Sequence, residues 1–315
     1  MELDFVIHSS FSNIDFNFLL VLAYGVLVGC ITGMLGAGGG TLIVPFLTLY
    51  LRLPIKMAIG TSLFQVTGIA ASGAFQHYRY GSSDLKLALI LMVSGSSMAF
   101  VGARFAQHVP STILKAIFGV FVILIALKFV KSSESKSEAR APAAAGSEAH
   151  HAIPLKRTLH HLTRFLHVGM VLPVPMKIYR KTKIAEYTIN LPQVFLLGGA
   201  VGFSSGLLGV GGGFLLVPGL VFLGIPMKVA VGTDLTQIIA SATVGTATYF
   251  MGGYVDPIIG GLLMAGGIAG TFIGARLNKR MPTSTLKKIF GVLMLFVGAL
   301  MIKNALAGAG ALGGV

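Results

Sequence analysis

Long apolar runs separated by short polar breaks dominate the chain, and the runs are continuous rather than alternating in polarity. A helix needs about 20 apolar residues to cross a hydrocarbon core of about 30 Å. Residues 17–37, 54–78, 84–106, 111–130, 192–210, 226–251, 257–277 and 285–303 form runs of that kind. Strands of an outer-membrane barrel would alternate apolar and polar positions instead, so helices are expected. Between the first and second run of each set lies a shorter apolar stretch, 41–51 and 214–224, which starts directly after a glycine cluster. The pattern predicts an all-α polytopic membrane protein. Each half should hold four full transmembrane helices plus a short or broken helix after a glycine-rich turn.

The two halves are copies of each other. GCITGMLGAGGGTLIVP (29–45) becomes GFSSGLLGVGGGFLLVP (202–218), with Gly36 matching Gly209, Gly38 to Gly40 matching Gly211 to Gly213, and Pro45 matching Pro218. After a one-residue gap, LPIKMAIGTSLFQ (53–65) matches IPMKVAVGTDLTQ (225–237). GARF (102–105) then matches GARL (274–277), and KAIFGV (115–120) matches KKIFGV (287–292). Duplication with glycine breaks inside apolar segments is a sequence pointer to a transport protein built from internal repeats.

Composition agrees: 54% of residues are hydrophobic and 11% charged, far from the quarter or so charged in soluble domains. The N-terminus carries Glu2, Asp4 and Asp15 and lacks a basic start and cleavage site, so it reads as a retained extracytoplasmic tail (1–16) rather than a signal peptide. One cysteine, Cys30, excludes an intrachain disulfide. Residues 131–191 hold ten Lys/Arg against four Glu, while residues 1–16 hold no Lys or Arg, which places the linker in the cytoplasm. The resulting division is repeat 1 (17–130), basic linker (131–191), repeat 2 (192–303) and a C-terminal tail (304–315). Counting each short run as a crossing puts the cluster from Arg276 to Lys288 inside and its counterpart, Arg104 to Lys115, outside. That asymmetry favours inverted over parallel repeats.

The linker has two textures. Residues 131–149 are polar and Ser/Ala-rich, as a flexible connection would be. Residues 155–172 place Leu155, Leu159, Leu162 and Leu166 at helical spacing among basic residues, predicting an amphipathic helix on anionic lipid headgroups. His150, His151, His160, His161 and His167 lack the carboxylates or cysteines of a metal site, and an interfacial face explains them. The net charge of +14 therefore points to a membrane surface rather than to nucleic acid.

Two constellations carry chemistry. Glycines 38–40 and 211–213 can unwind the chain, and free N–H groups beside a helix start form a concave anion site. Two such breaks meeting from opposite sides would flank one central site. Tight packing of broken helices is the plainer alternative. The second constellation sets Thr61, Ser62 and Gln65 on one helical face, and Thr233, Asp234 and Gln237 on its equivalent. Asp234 lies where a charge is costly, so it is a candidate carrier of a coupling ion, H⁺ or Na⁺, with helix N-capping as the alternative. Asp84 and Asp256 fall at helix starts and read as N-caps. Arg104 and Arg276 are either gates or snorkelling anchors. No metal site, cofactor motif or catalytic set is present in the sequence, so an enzyme is not expected.

The paired G-x-L-G-x-GGG-x-L-x-VP segments, the following P-x-K-x-A-x-GT-S/D-L-x-Q and the GAR near each repeat end resemble the TauE/SafE family of sulfite exporters and sulfonate permeases. The resemblance covers about residues 18–130 and 192–303. It implies a multi-pass transporter of the bacterial inner membrane for a small sulfur-containing or organic anion such as sulfite or a sulfonate, with export the favoured direction. The expected mechanism is alternating access coupled to a proton or cation gradient; an anion channel and a non-transporting scaffold are the alternatives. A homo-oligomer is compatible with the pattern. Carried onto this chain, the resemblance places substrate at Gly38 to Gly40, Gly211 to Gly213, Thr61, Gln65, Thr233 and Gln237.

Overall fold

The computed structural model of the protein describes residues 6–35, 39–81, 83–132, 177–181, 186–277, 295 and 298–303. Its helices are α1 (Phe18–Leu35), α2 (Gly40–Pro45, continued by a π-helical turn Phe46–Tyr50), α3 (Ile55–Arg79), α4 (Leu85–His108) and α5 (Ser111–Ser132) in the first half. The second half contributes α6 (Leu191–Leu208), α7 (Gly213–Phe222), α8 (Met227–Met251) and α9 (Pro257–Leu277). Residues 298–303 are helical too, and the rest of the expected span 285–303 lies largely outside the described residues. Among the described residues, Ile55–Arg79, Leu85–His108, Leu191–Leu208 and Pro257–Gly274 are long and apolar enough to cross a membrane. The molecule is an all-α polytopic membrane protein in its architecture.

Two short antiparallel hairpins depart from the all-helical expectation. β1 (Val6–Ser9) pairs with β2 (Ile14–Asn17), and β3 (Lys177–Lys181) pairs with β4 (Glu186–Asn190). The first was expected as a tail and the second as linker. Each leads directly into the first helix of a half, so the duplication extends to a hairpin whose residues, aligned by the repeat, differ between the copies apart from Asn17 and Asn190 at its end. The flexible stretch 131–149, the amphipathic helix 155–172 with its histidines, and the tail 304–315 lie outside the described residues.

Glycine stripes decide how the halves join. Gly25, Gly29 and Gly33 recur every fourth residue on α1 and abut Leu263, Gly267 and Thr271 of α9. A Cβ on Gly25 would stand 2.7 Å from the Leu263 carbonyl oxygen. Gly198, Gly202 and Gly206 do the same on α6 against Leu91, Gly95 and Ala99 of α4. Without a hydrophobic drive between helices in lipid, such close backbone approach supplies the packing. Partner numbers rise together in both pairs, so both pairs run parallel. α3 and α8 pack in the opposite sense: Gly73 meets Leu235 and Gly245 meets Leu63. These two equivalent helices are antiparallel and form the centre of the molecule.

Each short helix folds back on the helix before it. The Tyr24 hydroxyl of α1 donates to the Leu42 carbonyl of α2 at 2.9 Å, and its ring stacks on Phe46 with centroids 3.8 Å apart. In the second half, Gly212 meets Val201 and Gly219 meets Leu197, so α7 likewise runs back along α6. Pro45 and Pro218 sit inside these short helices, where the missing N–H removes one backbone hydrogen bond.

Candidate functional site

The two glycine breaks touch each other. A Cβ on Gly40 would lie 2.8 Å from the Val210 Cα and would run into the Gly209 carbonyl oxygen. Gly209, Gly211 and Gly212 have φ of 72°, 79° and 88°, a left-handed backbone that explains glycine at these positions. Neither α2 nor α7 has a side-chain cap at its start. Leu42 and Ile43 donate to the Gly39 carbonyl, and Leu215 and Leu216 to the Gly212 carbonyl. Gly39, Gly40 and Gly211 to Gly213 are thus placed at the junction, while Gly38 lies outside the described residues.

Around this junction the candidate polar residues divide by what they bond. Ser62 Oγ donates to the Gly209 carbonyl at 2.9 Å and so ties α3 to the break of the other half. Thr61 Oγ1 accepts from the Asp256 backbone N–H at 2.9 Å, and Thr233 Oγ1 accepts from that of Asp84 at 3.1 Å. These two threonines are occupied with holding helix starts across the halves. Gln65, Gln237 and Asp234 differ: all are buried, and none of their side-chain oxygens or nitrogens has a partner among the described residues. The amide nitrogen of Gln65 lies beside Gly267 and that of Gln237 beside Gly95, equivalent glycines whose lack of a side chain makes the room.

Sequence reasoning missed a second matched pair. Thr32 and Ser205 occupy equivalent places in the GCITG and GFSSG segments, and both hydroxyls are buried and unpartnered. Thr32 Oγ1 would lie 2.9 Å from a Cβ on Gly39, and Ser205 Cβ 3.9 Å from one on Gly212. Two hydroxyl residues at one aligned position, each within a glycine-spaced helix, were the available signal. Thr41, also buried and unpartnered, follows the first break directly.

Asp84 and Asp256 are N-caps, as expected. Asp84 Oδ1 accepts from the backbone of Lys86 and Leu87, and Asp256 Oδ1 from that of Ile258 and Ile259. The hairpins supply the rest. Ser9 and Ser12 each donate to Asp256 Oδ2 at 2.6 Å, whereas Asp84 receives Tyr187 at 2.7 Å and both Nε and Nη2 of Arg180. Burial pushes the Asp84 carboxyl up, but hydrogen bonds from Arg180, Tyr187 and the Leu87 N–H outweigh it and hold the group below the usual aspartate range.

Arg104 and Arg276 are exposed, away from these buried groups. The Arg104 guanidinium lies over the Phe100 ring at 5.6 Å. Among the described residues, no cluster of His, Cys, Asp or Glu could hold a metal ion.

Two parallel helix pairs, an antiparallel central pair and two abutting glycine breaks define a duplicated polytopic membrane protein with a buried polar centre. The chain belongs to the Sulfite exporter TauE/SafE family, whose sequence profile matches residues 21–301. It is 26% identical over 296 residues to Probable membrane transporter protein YunE of Bacillus subtilis, covering 91% of this chain and 97% of that one. It is also 26% identical over 290 residues to YdhB of the same bacterium, described in the same words, covering 88% and 100%. A probable membrane transporter protein of Methanocaldococcus jannaschii is 28% identical over 307 residues, covering 90% and 98%. No solved structure matches the chain.

Proposed function

We propose that this TauE/SafE membrane transporter is a secondary transporter, working chiefly as an exporter, of a small sulfur-containing or organic anion such as sulfite or a sulfonate. The reading places it in the bacterial inner membrane, with the hairpin 177–190 in the cytoplasm and the repeats inverted across the bilayer. The antiparallel packing of α3 on α8 supports that inversion.

The observation that carries the proposal is the contact of the two glycine breaks, each followed by an uncapped helix start, together with unpartnered buried polar groups from both repeats. An unsatisfied buried polar group costs about 1–3 kcal/mol. Gln65, Gln237, Thr32 and Ser205 together make that cost substantial unless something fills the centre. A small oxyanion supplies the acceptors that amide and hydroxyl donors need, and the helix starts add N–H groups and a favourable dipole. Asp234 is buried beside no cation among the described residues, and an isolated carboxylate there is costly unless it holds H⁺ or Na⁺. Binding of that ion together with the anion would couple the two movements.

Counterflow in proteoliposomes tests the reading. Vesicles loaded with unlabelled sulfite or a small sulfonate should transiently accumulate the labelled anion through a carrier. Unitary currents without counterflow would identify a channel instead.

A further inference from the structure

The two halves differ at one matched place. A small cavity between α1, α3, α8 and α9 is lined by Thr32, Gln76, His77, Leu235 and Thr271, with Gly33 and Gly73 at its walls. It holds room for about one water molecule. Thr32 Oγ1 and Gln76 Nε2 are both buried there without a hydrogen-bond partner, two polar groups in a mostly apolar lining that a single water would satisfy. It abuts the Gly39 break through Thr32, and Leu235 is the neighbour of Asp234 in the chain.

By the repeat alignment, the counterpart of His77 is Tyr249, that of Gln76 is Thr248, and that of Gly33 is Gly206. On that side the space is filled. Tyr249 is fully buried, and its hydroxyl donates to the Gly206 carbonyl at 3.1 Å. Thr248 is also buried, and its hydroxyl donates to the Val244 carbonyl at 2.8 Å. Two adjacent sequence differences, Gln76-His77 in the first copy and Thr248-Tyr249 in the second, coincide with a small cavity at one end of α3 and a plug at the other.

We infer that the cavity lined by Thr32, Gln76 and His77 marks the water path to the buried centre from the end of α3 that carries Arg79, and that Tyr249 is the plug closing the opposite side. In this conformation water and the coupling ion reach Thr32 and the neighbourhood of Asp234 from the Arg79 end. Opening the other side requires the Tyr249 ring to leave its place against Gly206. The assignment draws its purpose from the transport reading, but the side of access can be read whether or not any anion moves. Failure of the two is therefore distinguishable.

Thiol accessibility in oriented vesicles tests it. With Cys30→Ala as background, Tyr80→Cys and His8→Cys mark the two ends, and a membrane-impermeant thiol reagent is applied from either side. Gln76→Cys should label from the Tyr80 side and not from the His8 side. Thr248→Cys, its counterpart, should resist labelling from both sides, and adding Tyr249→Ala should expose it to the His8 side. Equal labelling of Thr248→Cys from the His8 side with Tyr249 intact would overturn the assignment. So would a Gln76→Cys protein that elutes as a single species yet stays unlabelled from the Tyr80 side.

Discussion

Asp84 and Thr233 belong to different repeats and are joined by a hydrogen bond of 3.1 Å from the Asp84 backbone N–H to the Thr233 hydroxyl oxygen. Asp256 and Thr61 repeat the contact at 2.9 Å. Each repeat thus holds the start of a long helix in the other, one residue before Ser62 or Asp234. The hairpins close over these joints, with serines at Asp256 and with Arg180 and Tyr187 at Asp84.

That difference in chemistry sets a pH dependence. The bonds from Arg180, Tyr187 and the Leu87 N–H hold Asp84 below its unfolded value, so its stabilisation is fully present above the ordinary aspartate pKa of about 3.9. It is lost as pH falls through the lower folded value. Arg180→Met leaves a buried carboxylate short of its cation and should cost about 3–5 kcal/mol at neutral pH. Thermal unfolding in detergent should show the gap between wild type and variant narrowing as pH is taken down through that range. A gap that stayed constant into strong acid would remove Asp84 from the effect.

Backbone contact at the glycine stripes leaves no space for side chains. Gly29→Leu should separate α1 from α9, and Gly202→Leu should separate α6 from α4, because each new side chain points into the facing backbone. Overpacking costs about 1–3 kcal/mol where neighbours can shift and more where backbone must move. Size-exclusion profiles should show loss of the folded species, whereas Gly261→Ala, which meets open space, should elute like the wild type.

Gln65 and Gln237 should separate activity from stability. Replacing a buried amide without partners by an apolar group of similar size removes a desolvation cost of about 1–3 kcal/mol. Gln65→Leu and Gln237→Leu should therefore unfold at the same temperature as the wild type or higher while transport falls severely. Equal loss of both would make the glutamines structural.

Apolar run length and the duplicated motifs made the class, the repeats and the broken helices legible in the sequence. Asp84 and Asp256 were readable as caps because a capping aspartate acts on its own next residues. Contacts between the halves were not legible. Thr61 and Thr233 looked like site residues because they share a face with Gln65 and Gln237, yet their hydroxyls hold helix starts of the opposite repeat. The hairpins escaped notice because the two copies, aligned by the repeat, match only at Asn17 and Asn190, and their strands are too short for a periodic signal to stand out. Thr32 and Ser205 gain meaning from the fold-back of α2 and α7, a tertiary event that local spacing does not encode.

The most direct test compares wild type with Asp234→Asn for uptake of sulfite, thiosulfate, sulfate and a small sulfonate into proteoliposomes, with and without imposed pH and Na⁺ gradients. The account predicts gradient-driven accumulation of one anion by the wild type, and a variant that folds but loses the response to the gradient. Undiminished gradient-driven accumulation by Asp234→Asn would contradict it.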